Sequence, residues 1–235
     1  MKFHKLLTLV TLIGMGALLV GVCQPMGYAQ PVNKDQALLE AALNLDVQAV
    51  DTLLKQQANP NVINPKSHYS VLLEVCAINL SAQYDDKDAI FFARQRKAEV
   101  IKLLVKAGAR LDVVTGGRYT PLLVLAGKSN YEKNYSEQWS IESLFANPTQ
   151  KPNVDWRAYY DWTALMLAVR AQDFGHVQVL LKNRANPNII NSNGDTALDL
   201  AYKTPALNGD NAHGNIIYAL KEVGAKTGKE LRENR

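Results

Sequence analysis

Cysteine is scarce in this chain, which carries only Cys23 and Cys76. That excludes a small secreted fold held by several disulfides and any Cys-x-x-Cys metal or redox motif. Catalytic signatures are missing as well: there is no Gly-rich phosphate loop, no nucleophile elbow and no His-Glu-x-x-His. The Gly14-Met-Gly16 pair falls inside an apolar N-terminal run. No dense Lys/Arg cluster with interleaved aromatics occurs, so nucleic acid is not expected as a partner. Nothing in the residues calls for a cofactor or a small-molecule ligand.

Only one long hydrophobic run is present. Lys2 and Lys5 precede apolar residues from Leu6 to Val22, followed by the small-x-small site Gly27-Tyr-Ala29. Residues 1–29 therefore read as an export signal cleaved after Ala29, which directs the protein to the periplasm. Two other fates stay open, retention of the run as a membrane anchor and lipidation of Cys23. Against them stand Val22, where a bacterial lipobox usually has Gly or Ala, and Gly14, Gly16 and Gly21 within the run. Cleavage removes two lysines and no acid, lowering the formal charge from +4 to +2, and leaves Cys76 as the only thiol.

Beyond a linker at 30–34, the chain repeats itself. The stretch Asp161-Trp-Thr-Ala-Leu-Met-Leu-Ala-Val169 runs on through His176-Val-Gln-Val-Leu-Leu181 to Ala185-Asn-Pro-Asn188. Thirty-three residues after Thr163 the pattern restarts as Gly194-Asp-Thr-Ala-Leu-Asp-Leu-Ala201. Thr163 stands where a helix begins, its hydroxyl placed to accept from free backbone N–H groups, and Leu165, Ala168 and Val169 share one face. Gln172-Asp-Phe-Gly175 turns the chain, Val177, Leu180 and Leu181 make the stripe of a second helix, and Asn186-Pro-Asn188 stops it. The same ending closes an earlier unit at Asn59-Pro-Asn61. Further starts are Ala37-Leu-Leu-Glu-Ala-Ala42, Ser70-Val-Leu-Leu73 and Thr120-Pro-Leu-Leu-Val-Leu-Ala126.

A fixed period of this size marks stacked helical hairpins, and the pattern is similar to the ankyrin repeat, over residues 35–225. The resemblance implies an all-α ankyrin-repeat solenoid of about five helix-turn-helix repeats, with β-hairpin finger loops between them and a charged C-terminal tail at 226–235. Ser70 to Leu103 spans thirty-three residues where Thr163 to Leu180 spans seventeen, so the second repeat is enlarged between its helices. The third, with the polar loop carrying Tyr131 and Tyr135, and the fifth, at Pro205 to Gly214, are enlarged at the same place, giving three interhelical insertions. The histidine that usually follows Thr-Pro-Leu is Leu73, Leu123, Met166 or Asp199 here. Its inter-repeat hydrogen bonds are thus replaced by apolar packing or lost.

Polar residues that could suggest chemistry have plainer readings. Asp85, Asp86 and Asp88 lack the Gly turn and closing Glu of a calcium loop and fit a solvated helix start, with Arg94, Arg96 and Lys97 later on the same helix. His68, His176 and His213, in a finger, a helix start and an insertion, have no metal-ligand spacing and read as ordinary polar residues. Cys76, in register with Val169, reads as a buried small hydrophobe.

Aromatic residues carry the binding signal. Tyr69, Tyr119 and Trp162 each precede a helix-starting hydroxyl, and in successive repeats they are placed to form a stripe on the concave side. The finger Asp155-Trp-Arg-Ala-Tyr-Tyr-Asp161 is two residues longer than its successor and supplies Trp156, Arg157, Tyr159 and Tyr160, residue types enriched in interface hot spots. The alternative reading of the stripe is packing against the adjoining finger, and that of the long finger is folding onto Trp139. By resemblance, such a protein binds another protein and seldom catalyses. The expected partner is a secreted effector toxin neutralised by an immunity protein, or a periplasmic enzyme such as a catalase with this chain as its accessory. A hydrolase is the rival from another class.

Overall fold

A computed structural model of the chain describes residues 33–84, 86–127, 138–205 and 211–233. The expected export signal with Cys23 and Ala29, most of the linker, Asp85, Tyr131 and Tyr135 lie outside the described residues. No described helix is long and apolar enough to cross a membrane.

The described residues are mainly helical, with one isolated antiparallel bridge between Ile63 and Ser70. Helix α1 (Lys34–Leu43) packs on α2 (Val47–Lys55), α3 (Val71–Ala77) on α4 (Lys87–Lys106), α5 (Pro121–Ala126) on α6 (Gln138–Leu144), α7 (Ala164–Arg170) on α8 (Phe174–Lys182), and α9 (Ala197–Lys203) on α10 (Ala212–Glu222). The first helices then stack in chain order, α1 on α3, α3 on α5, α5 on α7 and α7 on α9. The second helices stack in parallel, from α2 through α4, α6 and α8 to α10. A last short helix, α11 (Gly228–Glu233), follows. Stacking on both sides explains why every residue of α7 from Ala164 to Val169 is buried, leaving only Arg170 at its end exposed. Leu73, Leu123 and Met166 are buried too, so apolar packing stands at the position where the resemblance led a histidine to be expected.

The helices start and stop by repeated local devices. Ser70, Thr120, Thr163 and Thr196 each accept at the side-chain oxygen from the N–H three residues on, at 3.3 to 3.4 Å. Each such N-cap is worth about 1 kcal/mol. Four of the second helices end alike. Gln57, Gly108, Arg184 and Gly224 have φ of 65°, 93°, 65° and 76°, and the alanine after each (Ala58, Ala109, Ala185, Ala225) donates its N–H back to a leucine carbonyl at 2.9 to 3.0 Å. This left-handed C-terminal motif satisfies carbonyls that the helix leaves free. The two Asn-Pro-Asn endings act alike as well: Asn61 donates to Gly108 O and accepts from Arg110 N, while Asn188 donates to Gly224 O and accepts from Lys226 N.

Some details depart from the sequence reading. Helix α4 is 20 residues long, and its start is solvated as expected, with Asp86 as the cap and Asp88 exposed, but farther along it Arg94 and Lys97 are buried, and Lys97 Nζ donates to Ile78 O at 3.2 Å. His213 and Gly214 lie in the first turn of α10 instead of in an insertion. His176 is not an ordinary surface residue. It is wholly buried, with Nδ1 3.2 Å from Oδ2 of Asp173, which also caps α8.

The chain after Ala225 folds back on α9. Thr227 and Glu230 cap α11 reciprocally, and Arg232 Nη1 donates to Gly194 O at 3.3 Å. Asp199, standing where the resemblance led a histidine to be expected, joins the two helices: its Oδ2 accepts from Thr196 N at 2.9 Å and Gly228 N at 2.6 Å. Burial pushes its carboxyl up. The hydrogen bonds from Thr196 and Gly228, with the charge of Lys203, outweigh that and hold its pKa below the ordinary carboxylate value. Lowered in the fold, the group stabilises it above the unfolded-state pKa and loses that effect as pH falls through the folded one. Acid titration followed by circular dichroism is therefore expected to release α11 in the wild type below about pH 4. Asp199→Asn is expected to be less stable at neutral pH and to show a smaller step, the remainder coming from Glu230, whose hydrogen bonds from Thr227 also hold its carboxyl below the ordinary value. A Cβ on Gly228 would sit 2.1 Å from Gly194 O, so Gly228→Ala should detach α11 and expose 226–233 to limited proteolysis at neutral pH.

Candidate protein-binding site

Between consecutive helix pairs the chain makes a finger, and four fingers share one hydrogen bond. Asn64 N–H donates to Tyr69 O, Thr115 N–H to Tyr119 O, Ala158 N–H to Trp162 O and Asn191 N–H to Asp195 O, at 2.8 to 3.0 Å. In each finger the accepting residue immediately precedes the capping hydroxyl, so the helix start fixes where the finger closes. The two extra residues of the third finger thus fall before its turn, in the stretch holding Trp156 and Arg157.

That finger is tied to both neighbours. Toward the second, Tyr159 N–H donates to Gly117 O at 3.3 Å and Trp156 Nε1 donates to Arg118 O at 2.9 Å. Toward the fourth, Ser192 N–H donates to Tyr160 O at 3.0 Å and Ser192 Oγ to Asp161 Oδ2 at 2.8 Å. Ala158 is buried beneath it. Held in this way, Tyr160 and Asp161 adopt left-handed backbone angles, φ 57° and 59°. A bulky residue there carries about 1–3 kcal/mol of strain, which persists only where the surroundings impose it. The result is that Tyr159 and Tyr160 stand 60% and 64% exposed, with rings edge to face at 4.6 Å.

The remaining candidates divide. Arg157 is exposed and 3.8 Å from Asp161 Oδ1. Trp156 is half-buried and anchored to the second finger, with the Arg118 guanidinium 5.5 Å from its ring centre, so it supports the finger. Trp162 is half-buried beneath the Arg170 guanidinium at 4.5 Å. Tyr119 lies over its own Gly117, where an added Cβ would be 3.1 Å from the ring, and Tyr69 is exposed. Among the described residues no ring contact joins Tyr69, Tyr119 and Trp162 to one another. Trp139 packs edge to face on Phe91 of α4 at 5.6 Å.

Sequence reasoning missed Arg118 and Arg170. Arg170 closes α7, and Trp162 stands outside that helix, ahead of its cap, so helical spacing does not relate the two. Arg118 was not within reach either, because thirty-eight residues separate it from Trp156. Among the described residues no group of three His, Cys, Asp or Glu is arranged to hold a metal.

A family model described as ankyrin repeats (many copies) matches residues 150–201, the span that holds the third finger, α7, α8 and the start of α9. The match supports an ankyrin-repeat protein and, with it, binding to other proteins. No curated protein matches the chain significantly.

Support and display can be separated by chemical denaturation. Trp156→Ala removes a packed ring and its hydrogen bond and is expected to cost about 2 kcal/mol or more. Tyr160→Gly loses little packing and relieves the left-handed strain, so stability should change by less than about 1 kcal/mol.

Proposed function

We propose that this chain is an exported ankyrin-repeat protein whose activity is stoichiometric binding of one protein partner, with no catalysis of its own. On this reading the five helix pairs are five repeats, the second, third and fifth enlarged between their helices. Residues 1–29 act as a signal removed after Ala29, releasing the protein into the periplasm. The observation that carries the binding site is the third finger: two exposed tyrosines sit on a backbone held in a strained conformation by both neighbouring fingers. Rigid aromatic anchors of this kind lose little entropy on binding and dominate interface energies, often at about 2 kcal/mol or more each. Tyr69, Tyr119 and Trp162 extend the same face, while Trp156 and Arg157 shape its centre.

An immunity protein against a secreted effector toxin is favoured over an accessory of a periplasmic enzyme such as a catalase, because one distinctive finger suits one dedicated partner. The test is affinity capture from periplasm with the wild type and with Tyr159→Ala/Tyr160→Ala, followed by titration of the recovered protein in pure form. The account expects a saturable complex that the double substitution weakens at least tenfold. Loss of the partner's activity on binding would identify an immunity role, and preserved or enhanced activity an accessory role. Undiminished binding by the double variant would remove the third finger as the site. N-terminal sequencing of the exported protein should begin at Gln30; a lipidated N-terminal Cys23 would show an envelope lipoprotein instead.

A further inference from the structure

The charges on and beside the fingers are not all met within the chain. Their carboxylates are engaged within the chain: Asp112 with Arg110 at 3.1 Å, Asp155 with Asn186 N at 2.8 Å, Asp161 with Ser192 Oγ at 2.8 Å, and Asp195 with Lys203 at 2.5 Å. Glu74 of α3, facing the first finger, accepts from Asn64 and Ser67. Two finger cations, Arg110 and Arg157, face Asp112 and Asp161. Arg118 of the second finger and Arg170 at the end of α7 are exposed and have no carboxylate partner among the described residues, and each guanidinium lies over an indole, 5.5 Å from the ring centre of Trp156 and 4.5 Å from that of Trp162.

Stacking on an aromatic face orients a guanidinium while leaving its N–H groups, which lie in its own plane, turned to solvent. Such a fork is built to take a carboxylate through two parallel hydrogen bonds. Between the two arginines in chain order stand Tyr159 and Tyr160 of the third finger. Nucleic acid fits this layout poorly. The two cations are separate points instead of a continuous basic groove, and the two tyrosines pack edge to face against each other rather than presenting parallel faces to bases.

We propose that the second and third fingers, with the end of α7, recognise an acidic, extended segment of the partner protein. Arg118 and Arg170 each hold a carboxylate, and an apolar or aromatic side chain between those acids packs on Tyr159 and Tyr160. This deepens the reading of the third finger as the binding site and rests on it.

The experiment titrates the purified protein into a fluorescein-labelled synthetic peptide alternating Glu with Leu and follows anisotropy at rising salt. Saturable binding that weakens with salt is expected. The alternating Lys-Leu peptide should not bind, and Arg118→Gln/Arg170→Gln should bind the Glu peptide about tenfold more weakly. Lys229→Gln, an exposed cation on α11, should bind like the wild type, and unchanged circular dichroism of every variant shows that the fold is kept. No binding of the Glu peptide, equal binding by the double arginine variant, or tighter binding of an oligothymidine of equal charge would each overturn the proposal. A natural partner whose affinity depends on Tyr159 and Tyr160 but survives Arg118→Gln/Arg170→Gln would overturn it and leave the proposed function standing.

Discussion

A pair of short helices cannot hold itself together in water. Apart from α4 and α10, every helix here has ten residues or fewer, below the length at which an isolated helix is stable. Each pair also carries apolar surface on more faces than its partner helix can cover. Stacking on the next pair is what buries the rest, and the core consequently runs as one connected set from Leu38 in α1 to Leu220 in α10. The capping threonines, left-handed helix ends and bridging asparagines refine this arrangement, each contributing on the order of 1 kcal/mol. The caps and helix ends find their partners within their own helix, and the asparagines find theirs across the stack.

The fingers inherit their order from that stack. Because each finger closes immediately before a helix cap, successive fingers are held at the spacing of stacked helices. They are then near enough for Tyr159 N–H to meet Gly117 O and for Ser192 N–H to meet Tyr160 O. A loop without such neighbours would let Tyr160 relax out of its left-handed conformation. The scaffold thus holds in place both the strain and the exposure of the two tyrosines. At the C-terminal end the same economy appears in α11, which sits against α9 through Asp199 and Gly228 and covers part of a surface that another repeat would otherwise cover.

Much of this was legible in the sequence. The Thr-Ala-Leu and Asn-Pro-Asn recurrences marked helix starts and ends because capping is local chemistry, readable from a few adjacent residues. The burial of Cys76 followed from its register with Val169. Pairings between distant segments were not legible. The Arg118–Trp156 stack joins residues thirty-eight apart, and nothing in either neighbourhood announces the other. The burial of Lys97 and His176 was missed for a related reason: nothing beside them in sequence signals it, whereas the turn from α3 to α4 brings Ile78 O to Lys97 and the cap of α8 brings Asp173 to His176. Trp156 was read as a contact residue from its type and its place in a loop, and its further part as a support of the finger rests on a bond to Arg118 O that the sequence does not announce.

The central claim is that the third finger is a fixed surface, held from both sides by its neighbours. Amide hydrogen exchange resolved by NMR reads this directly at two backbone groups, Tyr159 and Ser192. The account predicts that both are protected to the degree of Ala158, whose bond lies within the finger. Exchange at Tyr159 and Ser192 as fast as in an unstructured loop, with Ala158 still protected, would contradict it.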